Sequence, residues 1–259
     1  MYILWIFIFW KIKLVLLWYN DNGDFMERLD KILSHLNYGT RKEVKNLIRK
    51  GYVMVNGEII KNDDFKVNPD IDEINIFNED VNYKKYVYFM LNKPADYVSA
   101  TYDPRYLTVI DLLPDYKKMN IFPVGRLDID TEGLLIISND GKLAHNLLQP
   151  KKHVDKKYYV EFDGKFLDSF YQKFEDGIEL EDYKCQSAKV ELINDNSAYC
   201  TIHEGKFHQV KKMFQALGMT VTYLKRVQFK NLKLDESLKL GEYRELTKEE
   251  IEDLFNEER

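Results

Sequence analysis

The sequence predicts an α+β protein, with a small helix–helix–strand unit at the front and a larger domain built on a mostly antiparallel sheet. Three observations carry this. Residues 29–50 hold two short helical patterns, followed at Asn56-Gly57 by a strong short-range hairpin signal. Beyond residue 85, strand-like runs are too frequent for a strict βαβ rhythm. The 259 residues are 45% hydrophobic and 31% charged, enough for a real core in one large or two modest domains.

The chain opens on MYILWIFIFWKIKLVLLWY, apolar apart from Lys11 and Lys13. A membrane span wants ~20 apolar residues, and a lysine near the bilayer centre costs ~2.5–3.5 kcal/mol. The two lysines argue against a span, and no small-residue cleavage site marks a secretory signal. The expectation is an apolar extension over 1–25, outside the fold, with Met26 as the working start. A membrane-surface anchor is the competing reading.

In 26–80, Leu29, Ile32, Leu33 and Leu36 repeat as one helix face, and Gly39 is expected to end it. Thr40 and Glu43 form a capping-box pattern for a second helix, with Val44, Leu47 and Ile48 inward and Gly51 as its stop. Residues 41–50 hold five cations against one acid, Glu43, in a chain of net charge -5. A cationic helix face of Arg41, Lys42, Lys45 and Arg49 suits phosphates, although the same face could simply be solvated. IDEINIF (71–77) alternates as a strand, and polar residues lead into a linker at 81–85.

In 86–259, strands are expected at 86–91, 133–138, 157–162, 188–193, 198–203 and 220–229. Helices are expected at 142–148, 166–175 and 207–217, with a last one capped by Thr247 and Glu250. Val210, Met213, Phe214 and Leu217 mark the buried stripe of 207–217. Cys185 and Cys200 have no partners at metal-ligand spacing and fit a reducing cytoplasm. Neither common phosphate-cradling glycine loop occurs.

Chemistry concentrates in 123–141, where Arg126, Asp128, Asp130, Thr131 and Glu132 crowd a polar turn before an apolar strand. A loop on a rigid strand commonly carries function. Leu134–Ile137 interrupt the acids, so a calcium loop fails. A two-carboxylate hydrolase stays open, as do plain turn residues.

The segment Gly125-Arg-Leu-Asp-Ile-Asp-Thr-Glu-Gly-Leu-Leu135 resembles the signature of the RsuA/RluB/RluE/RluF family of pseudouridine synthases. Tyr88–Pro94, Lys156–Val160 and Glu204–Phe214 agree with it, and the likeness spans 26–250. Residues 26–80, with Arg28-Leu-Asp-Lys31, Arg41, Ile48, Gly51, Val53, Val55 and Asn56-Gly57, resemble the S4 RNA-binding domain. Phe89–Pro94, Tyr102-Asp-Pro and Gly241–Thr247 resemble the branch of the family acting on 16S rRNA.

The resemblance implies an enzyme that turns a uridine of ribosomal RNA into pseudouridine; that reaction is redox-neutral and needs no donated group, so neither cofactor nor metal is expected, and a cytoplasmic monomer is the expectation. It implies Asp128 as the catalyst, Tyr158 against the everted uracil, and Lys211 as the cation beside Asp128; a neighbouring cation favours an ionised carboxylate. Arg126 would fill the gap left by the base, and Leu134, Leu224, His208 and Gln209 would contact substrate. Arg41, Lys42, Lys45 and Arg49 would contact structured RNA. Lys93, Arg105 and Arg226 are further phosphate candidates. The competing readings are a 23S rRNA enzyme of the same family and a non-catalytic ribosome-assembly factor.

Overall fold

A computed structural model describes residues 26–69, 71–81, 83–149 and 152–256, in two compact units divided between Lys85 and Tyr86. The expectations for residues 1–25 lie outside the described residues. Among the described residues no helix is long and apolar enough to cross a membrane.

In the first unit, β1 (Glu27–Arg28) leads into α1 (Leu29–His35) and α2 (Arg41–Arg49). Leu29, Ile32, Leu33, Val44 and Ile48 are all fully buried, each worth ~1.5–3 kcal/mol relative to exposure. Helix α1 stops earlier than expected. Asn37 takes positive φ (65°) two residues before Gly39 (φ 139°), and Asn37 N–H donates to the Ser34 carbonyl and Tyr38 N–H to that of Leu33. The Thr40–Glu43 capping box forms at the start of α2 and Gly51 (φ 80°) ends it. Strands β2 (Val53–Val55) and β3 (Glu58–Ile60) meet through Asn56-Gly57, both at positive φ as a type I′ turn requires.

Strand β4 (Lys66–Val67) pairs with β1, and β5 (Ile74–Ile76) lies between β2 and β6 (Glu79–Asp80). Val81 and Tyr83, within the strip 81–85 expected as linker, pack into this unit instead. Val81 N–H donates to the Ile74 carbonyl, and the Tyr83 side chain is buried with Ile32 and Ile76 in the same core. An aromatic ring this size hides more apolar surface against the unit than a linker in water would.

The second unit contains, in chain order, β7 (Tyr88–Lys93), β8 (Phe122–Val124), β9 (Glu132–Ser138), α3 (Gly141–Leu148), β10 (Lys156–Asp163), α4 (Ser169–Asp176), β11 (Lys189–Asn194), β12 (Ser197–Ile202), α5 (Gln209–Ala216), β13 (Thr220–Phe229), β14 (Leu232–Lys233), β15 (Tyr243–Glu245) and α6 (Lys248–Phe255). Among the described residues the sheet runs β11-β12-β10-β13-β9-β7-β15, with β8 on β9 and β14 on β13. Its pairs are antiparallel except β9 with β13. That parallel contact sets Gly133 beside Arg226 so closely that a Cβ on Gly133 would lie 2.3 Å from the Arg226 carbonyl oxygen. Gly133 also sits at φ 97°, so no other residue fits there without strain.

Both faces of β7 and β9 are covered. Phe89, Leu91, Leu135 and Ile137 join one core with α4, α5, Tyr158 and Leu224. Met90, Leu134 and Ile136 alternate to the other, under α3 and α6. Asp140 caps α3 through Lys142 N–H and Leu143 N–H, and Thr247 with Glu250 caps α6. Helix α5 begins at Gln209, because His208 takes a left-handed conformation (φ 53°) and holds Phe207 outside the helix.

Candidate active site

The loop between β8 and β9 is pinned from three directions. Ser99 Oγ donates to the Leu127 carbonyl at 2.9 Å and accepts from Leu127 N–H at 3.0 Å. Asp96 N–H donates to the Ile129 carbonyl, and Thr131 N–H closes a turn onto the Asp128 carbonyl. From within, the fully buried Lys93 ammonium donates to the carbonyls of Pro94 (3.0 Å), Ile129 (3.2 Å) and Thr131 (2.8 Å). Burial pushes the Lys93 ammonium down to about 8, opposed by the negative charges of Asp130, Glu132, Asp128 and Asp96. Charge-assisted bonds to three carbonyls hold the turn as a rigid mount.

The turn brings the carboxylates of its first and third residues to one cation. Lys211 Nζ lies 3.5 Å from Asp128 Oδ2 and 2.5 Å from Asp130 Oδ1. His208 Nε2 stands 3.7 Å from the other oxygen, Asp128 Oδ1. Asp128 is 23% exposed at the side chain, against 66% for Asp130. The catalytic candidate is therefore half-withdrawn from water while the outer acid holds the lysine. Burial alone would raise Asp130, but the hydrogen bond and charge of Lys211 win and hold it below the usual carboxylate range. The sequence alone sets Asp130 among the paired acids of the turn without a role of its own; its i, i+2 spacing from Asp128 across a tight turn is the signal for a shared partner.

Tyr158 is buried on the face of the sheet shared with Leu224, whose strand neighbour is Val160. Burial raises the Tyr158 phenol and the charge of Asp128 adds to this; the Arg226 guanidinium beside it opposes with its charge and a hydrogen bond. Asp128, Lys211 and His208 thus meet at one place, and the buried Tyr158 phenol feels the Asp128 charge. Arg126 is exposed and makes no ion pair among the described residues, so it is free to meet a ligand. Among those residues no group of three or more His, Cys, Asp or Glu side chains is arranged to hold a metal.

Four expected contacts lie elsewhere. Leu134 is fully buried on the opposite face of the sheet and cannot wall this site. Gln209 is buried and ties Glu204 to the Lys206 backbone through its side-chain amide. Lys93 is the inner pin already described. Arg226 is 2% exposed and donates from Nε to the Leu134 carbonyl at 2.7 Å, so neither cation can serve as a surface phosphate contact.

A family profile described as RNA pseudouridylate synthase matches residues 87–216, and the S4 domain profile matches 27–70. An RNA pseudouridine synthase of Bacillus subtilis, YtzG, is 46% identical over 89% of this chain and 98% of its own length. The small-subunit pseudouridine synthase A of Vibrio parahaemolyticus is 38% identical over 88% of this chain and 100% of its own. The large-subunit pseudouridine synthase B of B. subtilis is 37% identical over 88% and 96%. The chain belongs to the RsuA/RluB family of RNA pseudouridine synthases. A crystal structure of a pseudouridylate synthase superimposes with a TM-score of 0.62 at 37% identity, covering 88% of this chain and 99% of that one.

In this pseudouridine synthase the S4 domain is less nakedly cationic than its sequence reads. Arg41 lies 3.4 Å from Asp30, and Arg49 is 2.6 Å from Asp63. Lys45 lies within 4.0 Å of Asp30, Asp63 and Asp64. Only Lys42 among the four makes no ion pair with the described residues. The expected phosphate-facing role is therefore shared with internal acids that dilute the field. Changing Arg41, Lys42 and Lys45 to Glu should weaken RNA binding and flatten its salt dependence, while Asp63→Asn with Asp64→Asn should tighten it. Salt titrations of RNA affinity check both; identical log–log slopes in all three proteins would exclude the helix from the interface.

Proposed function

We propose that this synthase isomerises one uridine of 16S ribosomal RNA to pseudouridine, with Asp128 as the catalytic carboxylate. The observation that carries this is the placement of Asp128 against Lys211 and His208 on a turn braced by Lys93 and Ser99. The N1–C1′ bond breaks, the uracil turns and rejoins through C5, and the proton lost from C5 is balanced by one gained at N1. No redox equivalent or donated group is consumed. A carboxylate can serve by attacking sugar or base, or by accepting a proton on the way to a glycal. The target base must leave its stack to reach a half-buried acid, and the exposed Arg126 would occupy the vacated space and pair with phosphate.

The Vibrio small-subunit relative supports 16S rRNA as the substrate, and the family signature at 125–135 supports the role of Asp128. The Bacillus large-subunit relative favours 23S rRNA as the second reading. Two buried free thiols, Cys185 and Cys200, support work in the reducing cytoplasm, and the protein acts as a monomer in this reading. Purified protein incubated separately with unmodified 16S and 23S rRNA, naked and in particles, should give pseudouridine at one position in the 16S sample. Product only in the 23S sample would replace the substrate; product in neither would overturn the assignment.

A further inference from the structure

Phe207 is a large apolar side chain left 70% exposed one ring away from the candidate catalytic acid. Its ring is stacked on His208, centroids 3.8 Å apart and planes 18° from parallel, and His208 Nε2 is 3.7 Å from Asp128. With one face against the imidazole, the ring is otherwise largely exposed, and the Lys212 ammonium lies over it 5.7 Å from its centroid. A scattered surface aromatic needs no explanation, but this one is held in place at a cost. His208 adopts a left-handed conformation unfavourable for a residue with a Cβ, and it is this turn that keeps the pair outside α5.

The surroundings match a nucleic-acid strand. Lys212 Nζ lies 5.7 Å from the Phe207 ring, Lys211 stands at Asp128, and Lys206, next to Phe207 in the chain, carries its ammonium 3.7 Å over the Tyr183 ring. The one acid among residues 204–212, Glu204, is already engaged by the amide of Gln209 and the backbone of Gln186. Aromatic faces interleaved with cations are how proteins hold unpaired bases and their phosphates.

We propose that the Phe207–His208 stack is a platform for a base of the RNA strand next to the everted uridine. The base lies on the exposed part of the Phe207 ring, displacing the Lys212 ammonium, which then meets its phosphate. The platform rests on the reading that the substrate is ribosomal RNA. Stacking formed before the chemical step contributes equally to ground and transition states, so it should appear in KM rather than kcat.

The test compares Phe207→Ala, Phe207→Leu and Phe207→Trp in the full chain, with unmodified 16S and 23S transcripts as probes. Phe207→Ala should weaken RNA affinity and raise KM about tenfold, with kcat within about twofold. Phe207→Trp should restore both, and Phe207→Leu should not. Because the side chain is exposed, thermal unfolding should be unchanged in all three. Equal affinity for wild type and Phe207→Ala, or full restoration by Leu, would overturn the platform. Wild-type affinity without turnover would sink the synthase reading while the Ala–Trp comparison still decides the platform. Absence of both affinity and turnover in the wild type would overturn both.

Discussion

Asp128→Asn is expected to reduce pseudouridine formation by on the order of 10⁴-fold or more while leaving RNA affinity within about twofold. The change is nearly isosteric, so the turn that carries it should persist: its bonds run through the Asp128 carbonyl, the Leu127 backbone and the Lys93 pin, none of which involves the carboxylate. Lys211 keeps its closer partner, Asp130, and so stays in place. What is lost is the negative charge and nucleophilic oxygen 3.5 Å from the ammonium. Single-turnover measurement with saturating enzyme separates this chemical loss from any loss in binding. Turnover within tenfold of wild type would assign the chemistry to another group.

Lys93→Met should lower kcat about a hundredfold with little change in KM, although Lys93 never meets solvent. Three carbonyls around the catalytic turn lose their donor, and a displacement of ~1 Å at a reacting group can cost ~10²-fold. The same variant carries a signature in stability. Lys93 titrates at about 8 when folded, below its ordinary 10.5, so between these values the unfolded chain binds more protons. Stability contributed by this residue therefore rises with pH through that window, and the charged lysine is a burden below it. The stability of the wild type relative to Lys93→Met should increase from pH 8 towards 10.5, as denaturant unfolding at several pH values would read. A flat difference would mean the ammonium is not held in a dry site, and unchanged kcat would mean the turn is braced without it.

Much of this was legible in the chain because local pattern and final environment agree. The hairpin at Asn56-Gly57, the capping boxes at Thr40 and Thr247 and the strand 220–229 all follow from neighbours in sequence. The turn bearing Asp128 stood out by its density of polar groups before a strand. The faces of that strand did not. GLLIIS is apolar throughout because both sides are covered, so nothing in it shows that Leu135 faces the Tyr158 side and Leu134 the other. Lys93 and Arg226 were misread for a different reason. Apart from Pro94, the carbonyls they donate to lie 36 to 92 residues away, brought close by the pairing of β9 with β7 and β13, and nothing in the local sequence signals a backbone partner at that distance. On α2 the converse holds: Asp63 and Asp64 lie well beyond the helix end at Arg49, and folding returns them to its cationic face.

The most direct test is nucleotide-resolution mapping of pseudouridine in ribosomal RNA from cells lacking this protein, complemented with wild type or with Asp128→Asn. One 16S position should lose its modification, regain it with the wild type and stay unmodified with the variant. An unaltered rRNA map, or recovery by Asp128→Asn, would contradict the account.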